Sequence, residues 1–278
     1  MIIVPIESPS LSQNDLYTLL ESWYTSDMKL RKDIQSKSNK TISLLIFESS
    51  KNPKATIIYS HGGFTNNAEK DIGATGTLKD YCLQNNINFI AIDFSNNGTQ
   101  KDQPLEELIF SNRIKDLEST IDFVTSEYHS PIVLFGSSLG GHITLNAADY
   151  SPQIKAIVLN CPAIKAYESI RDLMDKTEFD NWQKTNKAFV FEGVFGYNFY
   201  EDLLEHDASK KIPNLHIPIL IFHGTEDKIT PIKNSREARE KNKKIELVEI
   251  EGGGHRFNMK PGVWETKVEE FINKHINP

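Results

Sequence analysis

The amino-acid sequence predicts an α/β protein: a three-layer sandwich whose mainly parallel central sheet is covered by helices, with a helical insertion. Three observations lead to this prediction. Short apolar runs alternate with helix-like stretches from about residue 41 to the end of the chain. Several of these runs are almost unbroken in Ile, Val, Leu and Phe, as in strands that are buried on both faces. Residues 163–212 separate two predicted strands by far more than a crossover requires.

The apolar runs predict the strands of the sheet. These are Thr41–Phe47, Thr56–Ser60, Asn88–Phe94, Ile132–Phe135, Lys155–Asn160, Pro218–Phe222 and Ile245–Ile250. The helices predicted between them lie near residues 68–85, 112–129, 138–149, 232–242 and 262–276. In the last of these, apolar residues recur at helical spacing, so one stripe of that helix is expected to pack on the sheet.

Two regions depart from this alternation within what is expected to be a single domain over residues 1–278. Residues 1–40 form an N-terminal extension of unknown role, in which the polar stretch 14–37 is expected to be helical. The insertion at 163–212 is rich in aromatic residues: Tyr167, Phe179, Trp182, Phe189, Phe191, Phe195, Tyr197, Phe199 and Tyr200. We expect a cap whose aromatic side chains line a ligand pocket. The alternative, that they form only a small satellite core, stays open.

Composition excludes several classes of partner. The chain carries a net charge of −7 with dispersed Lys and Arg, which argues against nucleic acid or an anionic membrane. No run approaches the roughly eighteen apolar residues of a membrane span. Because the N-terminus also lacks a signal-peptide pattern, we expect a cytoplasmic protein. Cys82 and Cys161 match no metal or redox spacing, and the histidines show no H-E-x-x-H motif, so no metal site is expected.

A candidate nucleophile follows the predicted strand Ile132–Phe135. The sequence Gly-Ser-Ser-Leu-Gly-Gly over residues 136–141 fits the pattern G-x-S-x-G and places Ser138 at its centre. In this pattern the serine lies on a sharp turn from strand to helix, where its neighbours must be small because the backbone is strained. Ser137 is not flanked by glycine in this way, so the motif predicts Ser138 as the nucleophile.

A serine nucleophile needs a base within hydrogen-bond reach and a carboxylate that orients the base. Asp227 follows the strand Pro218–Phe222, and His255 follows the last strand and three glycines. This chain order of serine, acid and histidine is the one that strand–turn–helix nucleophiles use. Because the carboxyl ends of parallel strands meet at one edge of a sheet, we expect all three side chains to lie together. Glu226, beside Asp227, stays open as the alternative acid.

Other histidines are weaker candidates for the base. His223 is too close in sequence to Asp227 to bridge from it to Ser138. His142 lies one helical turn beyond Ser138 and is expected to point along the helix. His61 is expected to be structural.

Acyl transfer also needs donors for the negatively charged oxygen of the tetrahedral intermediate, and backbone amides commonly serve. The amide of Leu139, directly after the predicted nucleophile and at the start of a helix, is one candidate. The second is expected from the loop His61-Gly62-Gly63-Phe64, where glycines allow a close approach of the backbone. Gly63 and Phe64 both remain open as this donor.

Together these motifs resemble the α/β-hydrolase superfamily. Within it they are similar to serine hydrolases of the cinnamoyl or feruloyl esterase, monoglyceride lipase and serine-aminopeptidase-like group. The resemblance covers about residues 41–276, and it rests on segments 61–64, 136–141, 223–227 and 252–255. Residues 93–98 match the position of the family's D-x-R-G-x-G segment, but Ser95 stands where the family has arginine.

The resemblance implies hydrolysis of a carboxylic ester, thioester or amide without a cofactor. The leading expectation is a carboxylesterase for a small-molecule ester with a small to medium apolar acyl group. A peptidase, amidase or thioesterase using the same three residues is one alternative. A catalytically silent scaffold that binds a ligand or protein is another, since one fold hosts many functions.

Overall fold

A computed structural model describes residues 29–63, 67–68, 72, 78–95, 104–190, 193–255 and 263–276. The strands there are β1 (Lys29–Gln35), β2 (Thr41–Phe47), β3 (Ala55–Ser60), β4 (Ile87–Asp93), β5 (Ile132–Ser137), β6 (Ile154–Asn160), β7 (Ala188–Val190), β8 (Gly193–Phe195), β9 (Ile219–Gly224) and β10 (Ile245–Ile250). The α-helices are α1 (Leu78–Gln84), α2 (Phe110–Tyr128), α3 (Leu139–Asn146), α4 (Ala166–Arg171), α5 (Lys176–Thr185), α6 (Tyr197–Glu205), α7 (Ala208–Lys211), α8 (Lys233–Lys241) and α9 (Val263–Ile276). Short 3₁₀ turns cover Leu105–Glu107 and Ile212–Asn214.

Eight of these strands form one sheet in the order β1-β2-β4-β3-β5-β6-β9-β10. The pairs from β4 to β10 are parallel, whereas β1 and β2 add an antiparallel edge. The mainly parallel central sheet that the sequence predicts is therefore confirmed. Since parallel neighbours need crossover connections, helices must lie on the faces of such a sheet.

Side chains of the central strands alternate between two hydrophobic cores. On one face, Ile58 and Leu134 pack with residues of α2, α3 and the insertion. On the other face, Val133 and Phe135 pack with residues of α1 and α9. Each such side chain contributes roughly 1.5–3 kcal/mol when it is fully buried. The two cores produce the three layers predicted from the alternation of strands and helices.

The N-terminal prediction is wrong where it can be compared with the structure. Residues 29–35, expected to belong to a helix, form β1, which pairs antiparallel with β2. This strand has only two apolar residues, and charged side chains are typical of an edge strand that must not pair further. Its sequence therefore carries no apolar run that would predict a strand. Residues 1–28 lie outside the described residues.

The insertion at 163–212 is largely helical, as expected, but it also contains the unpredicted hairpin of β7 and β8. Trp182, Phe195 and Phe199 are buried, and Trp182 Nε1–H donates to the carbonyl of Phe195 over 2.9 Å. Phe199 contacts Phe110 of α2 with ring centroids 6.3 Å apart. These rings thus extend the main core. That the insertion forms a cap lining a pocket stays a prediction.

The described residues also bear on a membrane span and on the state of the two cysteines. Among the described residues, no helix is long and apolar enough to cross a membrane. Cys82 and Cys161 are free and buried.

Candidate active site

Ser138 occupies the turn between β5 and α3. Its backbone angles are φ 52° and ψ −117°, a sparsely populated region whose cost is of order 1–3 kcal/mol. Hydrogen bonds hold this conformation: the Ser138 N–H donates to the Asn160 carbonyl over 2.9 Å. The Ser138 carbonyl accepts the N–H groups of Gly141 and Ala163, at 3.0 and 2.9 Å. The strained turn predicted from the motif is present at this serine.

The glycines of the motif are required by close backbone approach. A Cβ atom on Gly136 would lie 2.6 Å from the carbonyl oxygen of Gly140 and 2.6 Å from the Cα atom of Gly141. A Cβ atom on Gly140 would collide with the backbone carbonyl of Ser60 and lie 2.6 Å from that of His61. The start of α3 thus packs directly against the end of β3. No larger residue fits at either position without moving the backbone.

The structure brings Ser138, His255 and Asp227 together. His255 Nε2 lies 3.0 Å from Ser138 Oγ, and His255 Nδ1 lies 2.8 Å from Asp227 Oδ2. The side chain of Asp227 is fully buried, and that of His255 is 14% exposed. Because an ionised carboxylate only accepts hydrogen bonds, Nδ1 carries a proton and Nε2 is left to accept one from the serine.

Asp227 is held in its ionised form by its neighbours. Its Oδ1 accepts the N–H groups of Ile229 and Thr230, both at 2.9 Å. Burial by itself would raise the pKa of Asp227, but hydrogen bonds from His223 and His255 lower that pKa well below its usual range. The result is a buried negative charge that faces the imidazole.

Thr230 is a component of the site that the sequence reasoning missed. Its Oγ1 donates to Asp227 Oδ2 over 2.9 Å and lies 3.1 Å from His255 Nδ1. The same hydroxyl is 3.1 Å from the Cys161 carbonyl, at the end of β6. It therefore restrains both the carboxylate and the imidazole. The only local signal for it is its place beside the turn that Asp227 closes, where Oδ1 accepts the N–H of Ile229 two residues on.

The loops after β9 and β10 are joined to each other, which brings His255 to Asp227. The Glu226 N–H donates to the Gly253 carbonyl over 2.8 Å, and the Gly252 N–H donates to Thr225 Oγ1 over 2.9 Å. Gly252 adopts φ 67°, a left-handed conformation that favours glycine. The turn therefore lies at the first of the three glycines that precede His255.

The alternative acid and bases are placed elsewhere. The side chain of Glu226 is exposed, whereas the buried Asp227 faces the imidazole. His223 Nδ1 lies 2.8 Å from Ser235 Oγ, and its Nε2 lies 2.7 Å from the Thr230 carbonyl. His223 therefore supports the loop behind the carboxylate.

His142 is fully buried on α3, and backbone carbonyls occupy both of its ring nitrogens. Its Nδ1 lies 2.8 Å from the Ala163 carbonyl, and its Nε2 lies 2.8 Å from the His206 carbonyl. Burial lowers the pKa of His142, and the hydrogen bonds to these carbonyls oppose that shift. This histidine therefore joins α3 to the insertion.

The segments predicted to stabilise an oxyanion lie beside Ser138. Leu139 is the first residue of α3, and the first amides of a helix have no partner within the helix. A Cβ atom on Gly62 would lie 3.0 Å from Ser138 Cβ, so this loop contacts the serine directly. Gly63 follows with φ 73°. Phe64, the other candidate donor, lies outside the described residues, and the roles of Leu139 and Gly63 stay predictions.

The departure from the D-x-R-G-x-G pattern has a structural counterpart in the described part of that segment. The Ser95 hydroxyl donates to Asp116 Oδ2 of α2 over 2.6 Å, and the Ser95 N–H donates to the same oxygen over 3.0 Å. The serine thereby ties the end of β4 to α2. Residues 96–98 lie outside the described part of the chain.

One group of possible metal ligands occurs among the described residues. The ligand atoms of Cys161, Asp227 and His255 lie within 4.8 Å of one another. Burial raises the pKa of the Cys161 thiol, which favours the thiol over the thiolate that binds metals. His255 and Asp227 are already hydrogen-bonded to each other. The chemistry of this group therefore fits a hydrogen-bonded pair better than a metal centre.

This chain is similar to several known hydrolases in sequence and in fold. A family model described as serine aminopeptidase, S33, matches residues 51–188. The mitochondrial palmitoyl-protein thioesterase ABHD10 of Mus musculus is 24% identical over 269 residues, covering 92% of this chain and 87% of the relative. The α/β hydrolase domain-containing protein 17B of Homo sapiens is 21% identical over 248 residues, covering 87% and 74%. Est1E from Butyrivibrio proteoclasticus, solved with ferulic acid bound, superposes with a TM-score of 0.75 at 20% identity, covering 89% and 100%.

Proposed function

We propose that this chain is a serine hydrolase of the α/β-hydrolase superfamily that cleaves a carboxylic ester through Ser138, His255 and Asp227. One observation carries the proposal: His255 Nε2 lies 3.0 Å from the serine hydroxyl while its Nδ1 lies 2.8 Å from the buried carboxylate. This is the geometry that nucleophile, base and orienting acid require.

In the first step, Ser138 Oγ attacks the ester carbonyl carbon while its proton passes to His255 Nε2. The imidazolium that forms is stabilised by the negative charge of Asp227, which does not itself take up the proton. The carbonyl oxygen becomes an oxyanion, for which Leu139 and either Gly63 or Phe64 would supply amide donors. Loss of one such donor typically costs about a hundred- to a thousandfold in rate.

The intermediate then collapses and the bond to the leaving alkoxide breaks. His255 returns its proton to the alkoxide, which leaves as an alcohol, and the acyl group remains on Ser138 Oγ. Water attacks the acyl carbon with His255 as the base, and a second tetrahedral intermediate releases the carboxylic acid. Ser138 regains its proton, so no cofactor takes part in either half of the reaction.

The substrate class is proposed as a small to medium apolar acyl ester. Est1E, which shares this fold, was solved with ferulic acid, and a carboxylic acid of this kind is what hydrolysis of an ester would release. A thioester is the second candidate, because a relative matched over 87% of its length is described as a palmitoyl-protein thioesterase. An amide is the third candidate, because the matching family model is described as serine aminopeptidase, S33. A catalytically silent scaffold is less consistent with the close placement of Ser138, His255 and Asp227.

The insertion is proposed to cap this site. It begins at the nucleophile, because the Ala163 N–H donates to the Ser138 carbonyl over 2.9 Å. A segment that leaves the sheet here must pass over Ser138 or turn away from it. An apolar cap would exclude water and so strengthen the contacts to the oxyanion.

A substrate panel on the purified protein tests the proposed function. It compares p-nitrophenyl butyrate, methyl ferulate, palmitoyl-coenzyme A and alanine p-nitroanilide, with Ser138→Ala as the control. We expect ester hydrolysis to exceed thioester and amide hydrolysis and to vanish in the variant. Faster cleavage of the thioester or the amide would change the proposed substrate class but leave the proposed serine mechanism unchanged. Activity that survives in Ser138→Ala, or no reaction with a fluorophosphonate, would refute the serine mechanism.

A further inference from the structure

Arg113 is a fully buried arginine on α2 that the catalytic steps above do not use. Its side chain has no exposed area, and its Nη1–H donates to the Gly63 carbonyl over 3.0 Å. The guanidinium carbon lies 5.6 Å from the centre of the Phe94 ring. Burial lowers the pKa of Arg113 to about 10, while the charge of Asp116 raises it, so the group is a cation at neutral pH.

The carbonyl that Arg113 contacts belongs to the loop that touches Ser138. Gly62 lies so close that a Cβ atom on it would be 3.0 Å from Ser138 Cβ, and Gly63 is the next residue. The two peptide units that flank the Gly63 Cα atom contain both amides named above as candidate second donors. The hydrogen bond from Arg113 therefore fixes the loop at Gly63, the described one of these two residues.

Holding the loop does not by itself explain why the buried donor at this position is a cation. A neutral donor would satisfy a carbonyl, whereas burying a charge carries a large desolvation cost. Asp116, one turn further along α2, accepts hydrogen bonds from Ser36, Ser38 and Ser95. Inside a protein the effective dielectric constant is low, so a fixed positive charge acts on a nearby developing negative charge more strongly than it would in water.

We propose that Arg113 is a positioning residue for the oxyanion-binding loop, residues 61–63, and that its positive charge stabilises the oxyanion formed at Ser138. This inference rests on the proposed function and deepens it. Arg113 holds the Gly63 carbonyl and thereby restrains the residue whose own amide is a candidate oxyanion donor. It acts on the transition state, where the oxygen is charged, more than on the neutral bound ester.

Kinetics of Arg113→Met and Arg113→Lys on p-nitrophenyl butyrate test the inference. Methionine keeps much of the side-chain volume without the charge, and we expect kcat to fall about ten- to a hundredfold, less than for a lost direct donor. KM should stay within about twofold, because the uncharged substrate gains little from the cation. Lysine keeps the charge but not the planar fork, so its kcat should be intermediate. A trifluoromethyl ketone, which forms a charged adduct with a serine, should lose affinity by the same factor as kcat.

Val124→Ala is the matched control, since Val124 is buried on α2 about three helical turns from Arg113. This change should lower the melting temperature while leaving kcat and the ketone affinity unchanged. Fluorophosphonate titration counts competent sites, so that kcat refers to folded protein. If Arg113→Met does not fold, kcat and ketone affinity of Arg113→Lys, compared with those of Val124→Ala, test the inference instead.

Two results would overturn the inference. In one, kcat per titrated site and ketone affinity remain at the wild-type level in the Arg113 variants. In the other, only KM changes. Failure of the proposed function is seen separately: wild-type protein would neither hydrolyse esters nor be labelled at Ser138, and the inference about Arg113 would fail with it.

Discussion

His255 Nε2 and Ser138 Oγ lie 3.0 Å apart although 117 residues separate them in the sequence. The serine reaches this place because α3 starts against the end of β3, as the collision of a Cβ on Gly140 with Ser60 shows. The histidine reaches it because the loops after β9 and β10 are hydrogen-bonded to each other. Parallel strands end at one edge of the sheet, so residues from distant parts of the chain meet there.

Replacing Ser138 by alanine removes the proposed nucleophile and should lower kcat by about 10⁴-fold or more, leaving the residual catalysis of binding and the oxyanion donors. A fluorophosphonate should label the wild type at Ser138, as mapped by peptide mass spectrometry. Ser137→Ala is the control, because the neighbouring hydroxyl does not fit the motif, and it should be labelled and active. Labelling at Ser137 would show that the nucleophile is assigned to the wrong serine.

Substitutions at the neighbouring residues Asp227 and Glu226 test which of them orients His255. Asp227→Asn keeps the shape of the side chain but removes its charge, and should lower kcat by about a thousandfold or more. Glu226→Gln changes an exposed side chain and should alter kcat by less than about twofold. Steady-state kinetics on one ester suffice for the comparison. If Glu226→Gln were the more damaging change, the acid would be Glu226.

Asp227 should also contribute to the pH dependence of stability. Its folded-state pKa lies below the unfolded value of about 3.9, since hydrogen bonds from His223 and His255 outweigh the effect of burial. A depressed pKa contributes stability above the unfolded pKa, and this contribution is lost as the pH falls toward the folded pKa. Urea unfolding between pH 5 and about pH 3 should therefore show a steeper loss in wild type than in Asp227→Asn. Glu226→Gln should follow the wild-type curve, and parallel curves for wild type and Asp227→Asn would contradict the prediction.

The Thr230 hydroxyl should matter through Asp227 and His255. Thr230→Val keeps the shape but leaves the buried carboxylate without one donor, which should cost about 1–3 kcal/mol of stability. We expect kcat to fall about tenfold, because the imidazole loses part of its restraint. Thr230→Ser retains the hydroxyl and should recover most of kcat, measured with the same ester. Equal kcat for the valine and serine variants would exclude a role for the hydroxyl.

The insertion at 163–212 should contact bound substrate. A crystal structure of the protein with a phosphonate ester analogue attached to Ser138 should show at least one aromatic residue of this segment against the apolar group. Apolar acyl esters should correspondingly be cleaved faster than charged ones. If no residue of the segment touches the analogue, the aromatic side chains serve only as the core that Trp182 and Phe199 already form.

Much of the fold could be predicted because its signals are local. Strands β3, β5 and β9 are buried throughout or nearly so, and an almost unbroken apolar run is typical of a strand covered on both faces. The edge strand β1 gave no such signal, since one side of it faces water. The hairpin of β7 and β8 was missed because its strands have only three residues each.

For this protein the sequence by itself determined the residue types that the backbone demands: the glycines around Ser138 and the order of serine, acid and histidine along the chain. These follow from a single strained turn and from the chain order that this class of fold uses. Only the tertiary structure decided that Thr230 restrains the acid and the base, and that Arg113 reaches the Gly63 carbonyl. A buried polar group finds its partner on whichever element the folded chain packs beside it, and no local pattern records that choice.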